Sequence, residues 1–258
     1  MGKRITEDLA RKIVKQFKKK TQKYCHIYTE SVSPRPSLFD DKIGGQPYIP
    51  KGIPYPQTSS GKNMALLLQI NLANHKLGGF PRKGYFEFFH DSNFEKGAEY
   101  KFFIFDENLE HLETFPEIDY SNFICKEPVH LDFKKETCYM NVGDINFEST
   151  VLQCISEVTK KIYKSLDDFF AANGIEDKQD FYNKFKGKGF NTKGIGVWPD
   201  FLDKDIRTKE QKDLVNIFQF ETSENIQLGK NGKGWIFIDK EELRHGFIQN
   251  AKFEWRNS

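Results

Sequence analysis

Three short segments in the first half of this chain recur, in the same order, in its second half. Gln69 and Gly84 are separated by 15 positions, and Gln219 and Gly234 are separated by the same 15 positions. Matched intervals between similar segments are typical of one supersecondary unit used twice. The matching segments are 42–50 with 194–201, 65–71 with 214–221, and 83–89 with 233–239.

The repeat predicts two similar halves, over about residues 37–105 and 190–258, within a single domain spanning 1–258. Short runs rich in aromatic and β-branched residues, bounded by Gly and Pro, predict strands throughout both halves. The fold class we expect is mainly β (α+β), with duplicated β-rich halves forming one compact roll-like unit with peripheral helices. The predicted strands are 24–28, 65–71, 84–89, 100–105, 128–133, 213–221, 233–239 and 250–255.

Apolar residues with a helical period predict the connecting helices. One helix is expected over residues 6–20, with Thr6 as its N-cap, and a short one over about 177–185. A third is expected to run through Val158, Ile162 and Phe170 and to end at Asn173-Gly174. A helical turn is predicted at 240–244.

Charge and apolar patterning exclude several classes of protein. The chain has 39 basic and 37 acidic residues, so its net charge of +2 gives no general attraction to nucleic acid. No window approaches the ~18 apolar residues of a transmembrane helix, and the N-terminus has no apolar signal segment, so we expect a cytoplasmic protein without a membrane partner. The four cysteines form no C-x-x-C pair, which predicts reduced thiols without a disulfide or a structural metal.

The sequence offers no catalytic residue. The six histidines are scattered, with no H-E-x-x-H or H-x-H pair, and each is expected to be a lone strand or surface residue. No G-x-S-x-G elbow and no phosphate-binding P-loop occur. We therefore expect neither a cofactor nor a metal, and we favour binding over catalysis.

The glutamine that recurs in both halves is the most informative polar position. Gln69 and Gln219 each lie within an apolar strand, where an unpaired amide is costly. Each glutamine either anchors its own Gly-x-x-Pro loop or contacts a ligand, and the sequence favours the anchor because both copies share the same structural need. The candidate binding residues are Gln69, Asn71, Trp198, Gln219 and Trp235.

The loop over residues 37–52, with Gly44-Gly45-Gln46-Pro47, and the strand over 64–71 resemble the YwqG-like family of bacterial proteins, a domain of unknown function. The second half is similar to the family in residues 196–201 and 234–255. The resemblance covers nearly the whole chain. It implies a compact, mostly β fold of duplicated character in a cytoplasmic bacterial protein, with no established activity and no catalytic residues.

Genes of the YwqG-like family often lie beside toxin genes, which implies an immunity protein that binds and blocks a protein toxin. The alternative is a small-molecule or glycan-binding protein, or an enzyme, with its site between the two halves. An exposed aromatic patch would favour the toxin partner, and a polar pocket holding Gln69 and Gln219 would favour the small molecule. The sequence does not specify an oligomeric state.

Overall fold

The computed structural model describes residues 4–190, 193–201 and 204–257. These residues form ten β-strands, five α-helices and two short 3-10 helices. The strands are β1 (Lys23–Ser31), β2 (Lys42–Ile43), β3 (Ala65–Asn71), β4 (Tyr85–His90), β5 (Tyr100–Phe105), β6 (Val129–Cys138), β7 (Gly194–Ile195), β8 (Val215–Glu221), β9 (Lys233–Ile238) and β10 (Lys252–Arg256). The helices are α1 (Glu7–Thr21), α2 (Phe147–Thr159), α3 (Leu166–Asn173), α4 (Lys178–Asn183) and α5 (Lys240–His245), with 3-10 helices at Leu72–Asn74 and Lys209–Gln211.

The prediction of a mainly β, α+β fold is confirmed. One sheet contains all ten strands, and every neighbouring pair whose register is resolved is antiparallel. Aromatic and branched residues fill the strands because they pack well on a pleated, buried surface. The strand order is β10-β9-β8-β7-β1-β6-β2-β3-β4-β5.

The chain divides into two compact units. The first comprises the described residues within 1–25, 135–192 and 197–213, and it contains α1 to α4. Its core is aromatic: Phe17 and Phe147 meet edge to face with ring centroids 5.3 Å apart, and Phe169, Phe170 and Phe181 are buried in the same core. Edge-to-face ring pairs add stability beyond the area that they bury.

The second unit comprises the described residues within 26–134, 193–196 and 214–258, and it holds most of the sheet. The sheet has a corresponding order of strands when it is followed inward from either edge. From one edge the order is β5-β4-β3-β2-β6, and from the other it is β10-β9-β8-β7-β1. Ile43 pairs with Leu68 in the first set, and Ile195 pairs with Phe218 in the second. Both sets also have a bulge in the long strand, between Leu66 and Leu68 and between Asn216 and Phe218. The two sets of strands therefore have the same order and the same kind of bulge.

The prediction of one helix through Val158, Ile162 and Phe170 is wrong. Lys160 takes a left-handed conformation with φ of 59°, which ends α2, and Ile162 is 89% exposed. The chain re-enters helix at Ser165, whose side chain accepts a hydrogen bond from the Asp168 amide at 3.1 Å. A side-chain cap of this kind stabilises a new helix start and so competes with continuation of the first helix.

Candidate functional site

The loop between β1 and β3 is held to the sheet by Gln69. The Gln69 Oε1 accepts the Tyr48 amide at 2.8 Å, and its Nε2 donates to the carbonyls of Leu38 and Asp40 at 2.8 and 3.0 Å. Gln69 is fully buried, so these bonds satisfy a side chain that has no access to water. The result is that the loop residues at 38–41 have a fixed position over β3.

Asp41 points from this loop to a short helical turn that follows β3. The Asn71 amide donates to Asp41 Oδ1 at 2.6 Å, and the Asn71 side chain caps the 3-10 helix by accepting the Ala73 amide at 3.1 Å. The turn ends at His75, whose Nε2 lies 3.0 Å from Asp41 Oδ2. Both carboxylate oxygens of Asp41 are therefore occupied by groups that the turn presents.

His75 connects Asp41 to a second histidine on β1. The Nδ1 atoms of His75 and His26 are 2.6 Å apart, a hydrogen-bond distance. A carboxylate only accepts hydrogen bonds, so the proton on His75 lies at Nε2 and its Nδ1 accepts. His26 then donates from Nδ1. Asp41, His75 and His26, named here the Asp41 relay, form a continuous path for a proton.

The surroundings keep the relay rigid. The His75 side chain is 1% exposed and the Phe133 ring meets it edge to face at 4.5 Å. The Asp41 carbonyl accepts the Leu131 amide at 2.9 Å, which ties the acidic end of the relay to β6. Asp41 and His75 are buried and hydrogen-bonded, and such a pair keeps one arrangement because an unpaired member would be costly.

A cavity of about 320 Å³ lies beside the relay. No lysine or arginine is among the described residues that line it, so the ionisable side chains around it are acidic or imidazole. The charge on this cavity is negative when its carboxyls are ionised, which favours cationic and hydrogen-bond-donating molecules. The polar lining consists mainly of His26, His75, His130, Asp40, Asp41 and Asp132.

Asp40 is the acidic group whose ionisation the surroundings favour most clearly. Burial opposes the charge, but the Ser37 amide donates to Asp40 Oδ2 at 2.6 Å, and with the Ser37 hydroxyl and the nearby His130 and Lys42 it holds the pKa of Asp40 below its usual value. Elsewhere in the lining, His130 Nδ1 lies 3.6 Å from Asp132 Oδ1. Asp40 is therefore a fixed negative charge next to the relay.

A row of buried polar residues crosses the sheet behind the loop. Lys42 pairs with Gln69 on β3, and Gln69 pairs with Glu87 on β4. Burial lowers the pKa of Lys42 to about 8, although its Nζ still donates to the carbonyls of Ser37 and Leu38 at 2.7 and 3.0 Å. Burial raises the pKa of Glu87 well above its usual value, and neither carboxyl oxygen has a hydrogen-bond partner among the described residues. Burial therefore favours the neutral, protonated form of Glu87.

Two of the five predicted binding residues lie behind the cavity and three do not. Gln69 and Asn71 position Asp40 and Asp41 as described above. Gln219 and Trp235 are fully buried on β8 and β9, where Trp235 Nε1 donates to Gln219 Oε1 at 3.0 Å. Trp198 belongs to the first unit, where its Nε1 donates to the Thr21 carbonyl at 2.7 Å and Lys23 Nζ lies 4.5 Å from its ring centroid.

The relay residues were missed at the level of sequence. The expectation that every histidine is isolated is wrong for His26 and His75, which are 49 positions apart in the chain. No local motif spans such an interval, so the only available signal is that His75 follows directly after the Asn71-capped turn at the end of β3. Among the described residues, no group of three or more His, Cys, Asp or Glu side chains has a geometry that could hold a metal ion.

A family model matches most of the chain. The family model described as Domain of unknown function (DUF1963) covers residues 41–256, which includes Asp41, His75 and most of the cavity lining. No curated protein matches the chain. In the part of the chain that the structure describes, no helix is both long enough and apolar enough to cross a bilayer.

Proposed function

The chain belongs to the DUF1963 family, and we propose that it binds a small polar molecule with a basic nitrogen in the cavity beside the Asp41 relay and exchanges a proton with it. The observation that carries this proposal is the hydrogen-bonded path from Asp41 through His75 to His26 at the edge of that cavity. A hydrogen-bonded histidine–aspartate path is suited to general acid–base chemistry.

The charge of the cavity supports a cationic ligand. Asp40 is ionised and Asp132 faces the same space, while no cationic side chain lines it among the described residues. An ammonium group pairs with Asp40 through a charge-assisted hydrogen bond. His26 then lies at hand to accept or return the proton of that nitrogen.

The test uses ethanolamine as the cationic probe and glycolate as its anionic counterpart of similar size. Binding is followed by the nitrogen and carbon shifts of the histidine rings in NMR spectra, which separate His26, His75 and His130 from the rest. We expect ethanolamine to shift these three rings, and Asp40→Asn to weaken its binding about tenfold. Equal binding of glycolate, or shifts confined to other histidines, would contradict the proposal.

The proton transfer is tested separately from binding. Calorimetric titration with ethanolamine in two buffers of different ionisation enthalpy measures the protons taken up or released on binding. We expect His26→Gln to remove this proton exchange while ethanolamine still binds, because a glutamine side chain has no titratable nitrogen. The exposed His245→Gln serves as the control and should leave both quantities unchanged. Proton exchange that persists in His26→Gln would contradict the proposal.

A protein toxin remains a second proposed partner, favoured by exposed apolar residues near the cavity. Phe39 lines the cavity, is 46% exposed and packs against His111 with ring centroids 5.4 Å apart. Leu109 is 50% exposed, and its carbonyl accepts the Tyr48 hydroxyl at 2.8 Å. Exposed aromatic and aliphatic anchors of this kind commonly form the centre of a protein interface.

The toxin proposal is tested with a purified toxin domain whose gene lies beside a gene of the YwqG-like family. Calorimetry of the two purified proteins should give saturable binding that Phe39→Ala weakens at least tenfold. Phe247→Ala is the matched control, because Phe247 is 64% exposed and not part of this patch. An unchanged affinity for Phe39→Ala would exclude the patch as the interface.

The remaining proposals concern setting and origin. The four cysteines are all buried thiols, which supports a reducing compartment such as the bacterial cytoplasm. The matched registers of β2–β3 and β7–β8 support an internal duplication, as does the YwqG-like resemblance.

A further inference from the structure

A second cavity of about 450 Å³ lies in the second unit and shares no lining residue with the cavity beside the Asp41 relay. One wall is the loop Gly45-Gln46-Pro47, and another is the segment that contains Phe115 and Ile118. Its volume falls within the usual range for small-molecule sites. This space is named here the Arg35 cavity.

The loop wall of the Arg35 cavity is shaped by glycine. Gly45 has φ of 79°, a conformation that side chains rarely adopt. A Cβ atom at this position would lie 3.1 Å from Pro128 Cβ, so a side chain there would require the Pro128 ring to shift by a few tenths of an ångström. Loop and ring therefore form a continuous surface on this side of the cavity.

Three polar groups of the cavity lack hydrogen-bond partners within the described part of the chain. They belong to Tyr55, Tyr120 and Arg35, which all line the space; the two tyrosines are half-buried and Arg35 is exposed. The Tyr55 ring packs on Phe89 and the Tyr120 ring on Phe123, so both side chains have supported positions. A few polar groups beside apolar side chains are the usual means of fixing a ligand's orientation.

Electrostatics define the sign of the ligand. Burial raises the pKa of Tyr120, and the positive charge of Arg35 acts in the opposite direction, which indicates that the two groups are close to each other. Burial also raises the pKa of Tyr55. Both tyrosines are therefore neutral donors at pH 7, and Arg35 is a cation without an ion-pair partner among the described residues.

The neighbouring charges do not change that sign. Arg35, Lys126 and Glu127 are exposed members of the lining, with two positive charges and one negative, so the lining carries a net positive charge. Phe115, Pro116 and Ile118 are half-buried and supply an apolar surface. A ligand that fits must combine an anionic group with a flat apolar body.

We propose that the Arg35 cavity binds a small aromatic acid, with its acidic group on Arg35 and its ring against the apolar wall. The hydroxyls of Tyr55 and Tyr120 donate to its remaining oxygens. A guanidinium is well suited to this role because its planar donors match a carboxylate in a bidentate arrangement. This site is independent of the proposed function, since the two cavities differ in lining and in charge.

The experiment uses 4-hydroxybenzoate as the probe and 4-hydroxybenzyl alcohol as its uncharged counterpart. Both are titrated into the full chain, and binding is followed by amide shifts in NMR spectra. We expect saturable shifts at residues 45–47 and 115–128 for the acid, and at least tenfold weaker binding of the alcohol. Binding of neither probe, or equal binding of both, would overturn the proposal.

Variants assign the binding to named groups. Arg35→Gln should weaken 4-hydroxybenzoate at least tenfold, and Tyr120→Phe about threefold to tenfold, because each removes one partner of the ligand. Arg82 is exposed and does not line the Arg35 cavity. Arg82→Gln removes the same charge and should bind 4-hydroxybenzoate as the unchanged chain does. Thermal unfolding confirms that each variant is folded. An affinity for Arg35→Gln equal to that of Arg82→Gln would overturn the proposal, as would displacement of 4-hydroxybenzoate by ethanolamine.

Discussion

Both polar atoms of the Gln69 side-chain amide form hydrogen bonds to a single loop. One oxygen and one nitrogen connect β3 to Leu38, Asp40 and Tyr48, three residues that are far from Gln69 in the chain. A residue that satisfies several buried backbone groups cannot be shortened without leaving those groups unpaired. Gln69 therefore affects both stability and the position of the acidic residues beside the relay.

We expect Gln69→Ala to lower the free energy of unfolding by about 1–3 kcal/mol, and Gln219→Ala to cost a similar amount because it leaves the buried Trp235 Nε1 without Gln219 Oε1. The two losses should add, since the copies anchor different strand pairs. Chemical denaturation of the single and double variants measures this. Gln46→Ala in the same loop is the control, because Gln46 is exposed, and should change stability by less than about 0.5 kcal/mol. A change below that value for both buried glutamines would refute anchoring.

Glu87 predicts a dependence of stability on pH. Its pKa in the folded chain is raised by burial, so the folded state keeps a proton that the unfolded chain loses above about pH 4.5. The unfolded state then binds fewer protons, and stability falls as pH rises from there toward the folded pKa, by up to about 1.4 kcal/mol per pH unit. Glu87→Gln should remove this part of the slope. The denaturation midpoints of the unchanged chain and of Glu87→Gln are measured between about pH 5 and pH 8. If the two midpoints change with pH at the same rate, the prediction is wrong.

At the scale of elements, β7 is a short strand whose backbone is tightly constrained. Strand β7 has two residues, and it joins β1 to β8 through the pairs of Gly194 with Ile27 and Gln219. Gly194 has φ of 141°, and a Cβ atom there would overlap the His26 carbonyl oxygen. Only glycine lets the strands approach this closely, so the relay histidine and the β7 pairing depend on one another.

We expect Gly194→Ala to destabilise the chain by about 3 kcal/mol or more, because it combines backbone strain with a steric overlap. Gly78→Ala is the matched control, since a Cβ atom at Gly78 would meet no atom within 4 Å. Its effect should stay within about 0.5 kcal/mol. Thermal or denaturant unfolding of the two variants decides the matter, and equal stabilities would show that β7 tolerates a side chain.

Element prediction succeeded where one local signal dominated. The strands over 65–71 and 100–105 were predicted with the bounds that the structure has, because dense apolar and aromatic runs have few alternatives. The helix through Val158 and Phe170 failed because its apolar period continues across the break at Lys160. The competing signal was the helix N-cap at Ser165. In this segment it outweighs the helical spacing of the apolar residues.

At the scale of the whole molecule, the second unit is assembled from distant parts of the chain. The Tyr28 ring stacks on Phe218 with centroids 5.3 Å apart, and Phe88 meets Phe253 at 4.8 Å. The Asp41 relay is also assembled from distant residues. Asp41 and His75 are 34 positions apart, and His26 lies on β1. Sequence spacing carries no information about such contacts, which is why the fold class could be predicted and the candidate site could not.

We expect residues 26–134 not to fold when expressed alone. The fragment keeps β2 to β5 and most of β6 but lacks Phe218 and Phe253, so the aromatic rings that pack on Tyr28 and Phe88 are missing and their apolar surface is exposed. Amide NMR spectra should show poor dispersion, and denaturation should lack a cooperative transition. The full chain is the reference. A well-dispersed spectrum of the fragment would show that the first half has a sufficient core.

The pairing of β1 with β7 also determines when the relay can form during synthesis. His26 is opposite Ile195 in that pair, so about 170 residues leave the ribosome between the two partners. At typical elongation rates of about 5–20 residues per second, this interval lasts on the order of 10–30 s. Throughout it, one side of β1 carries unpaired backbone groups, including those of His26. A nascent chain of this protein therefore presents an open strand edge that the finished protein closes only with Gly194 and Ile195.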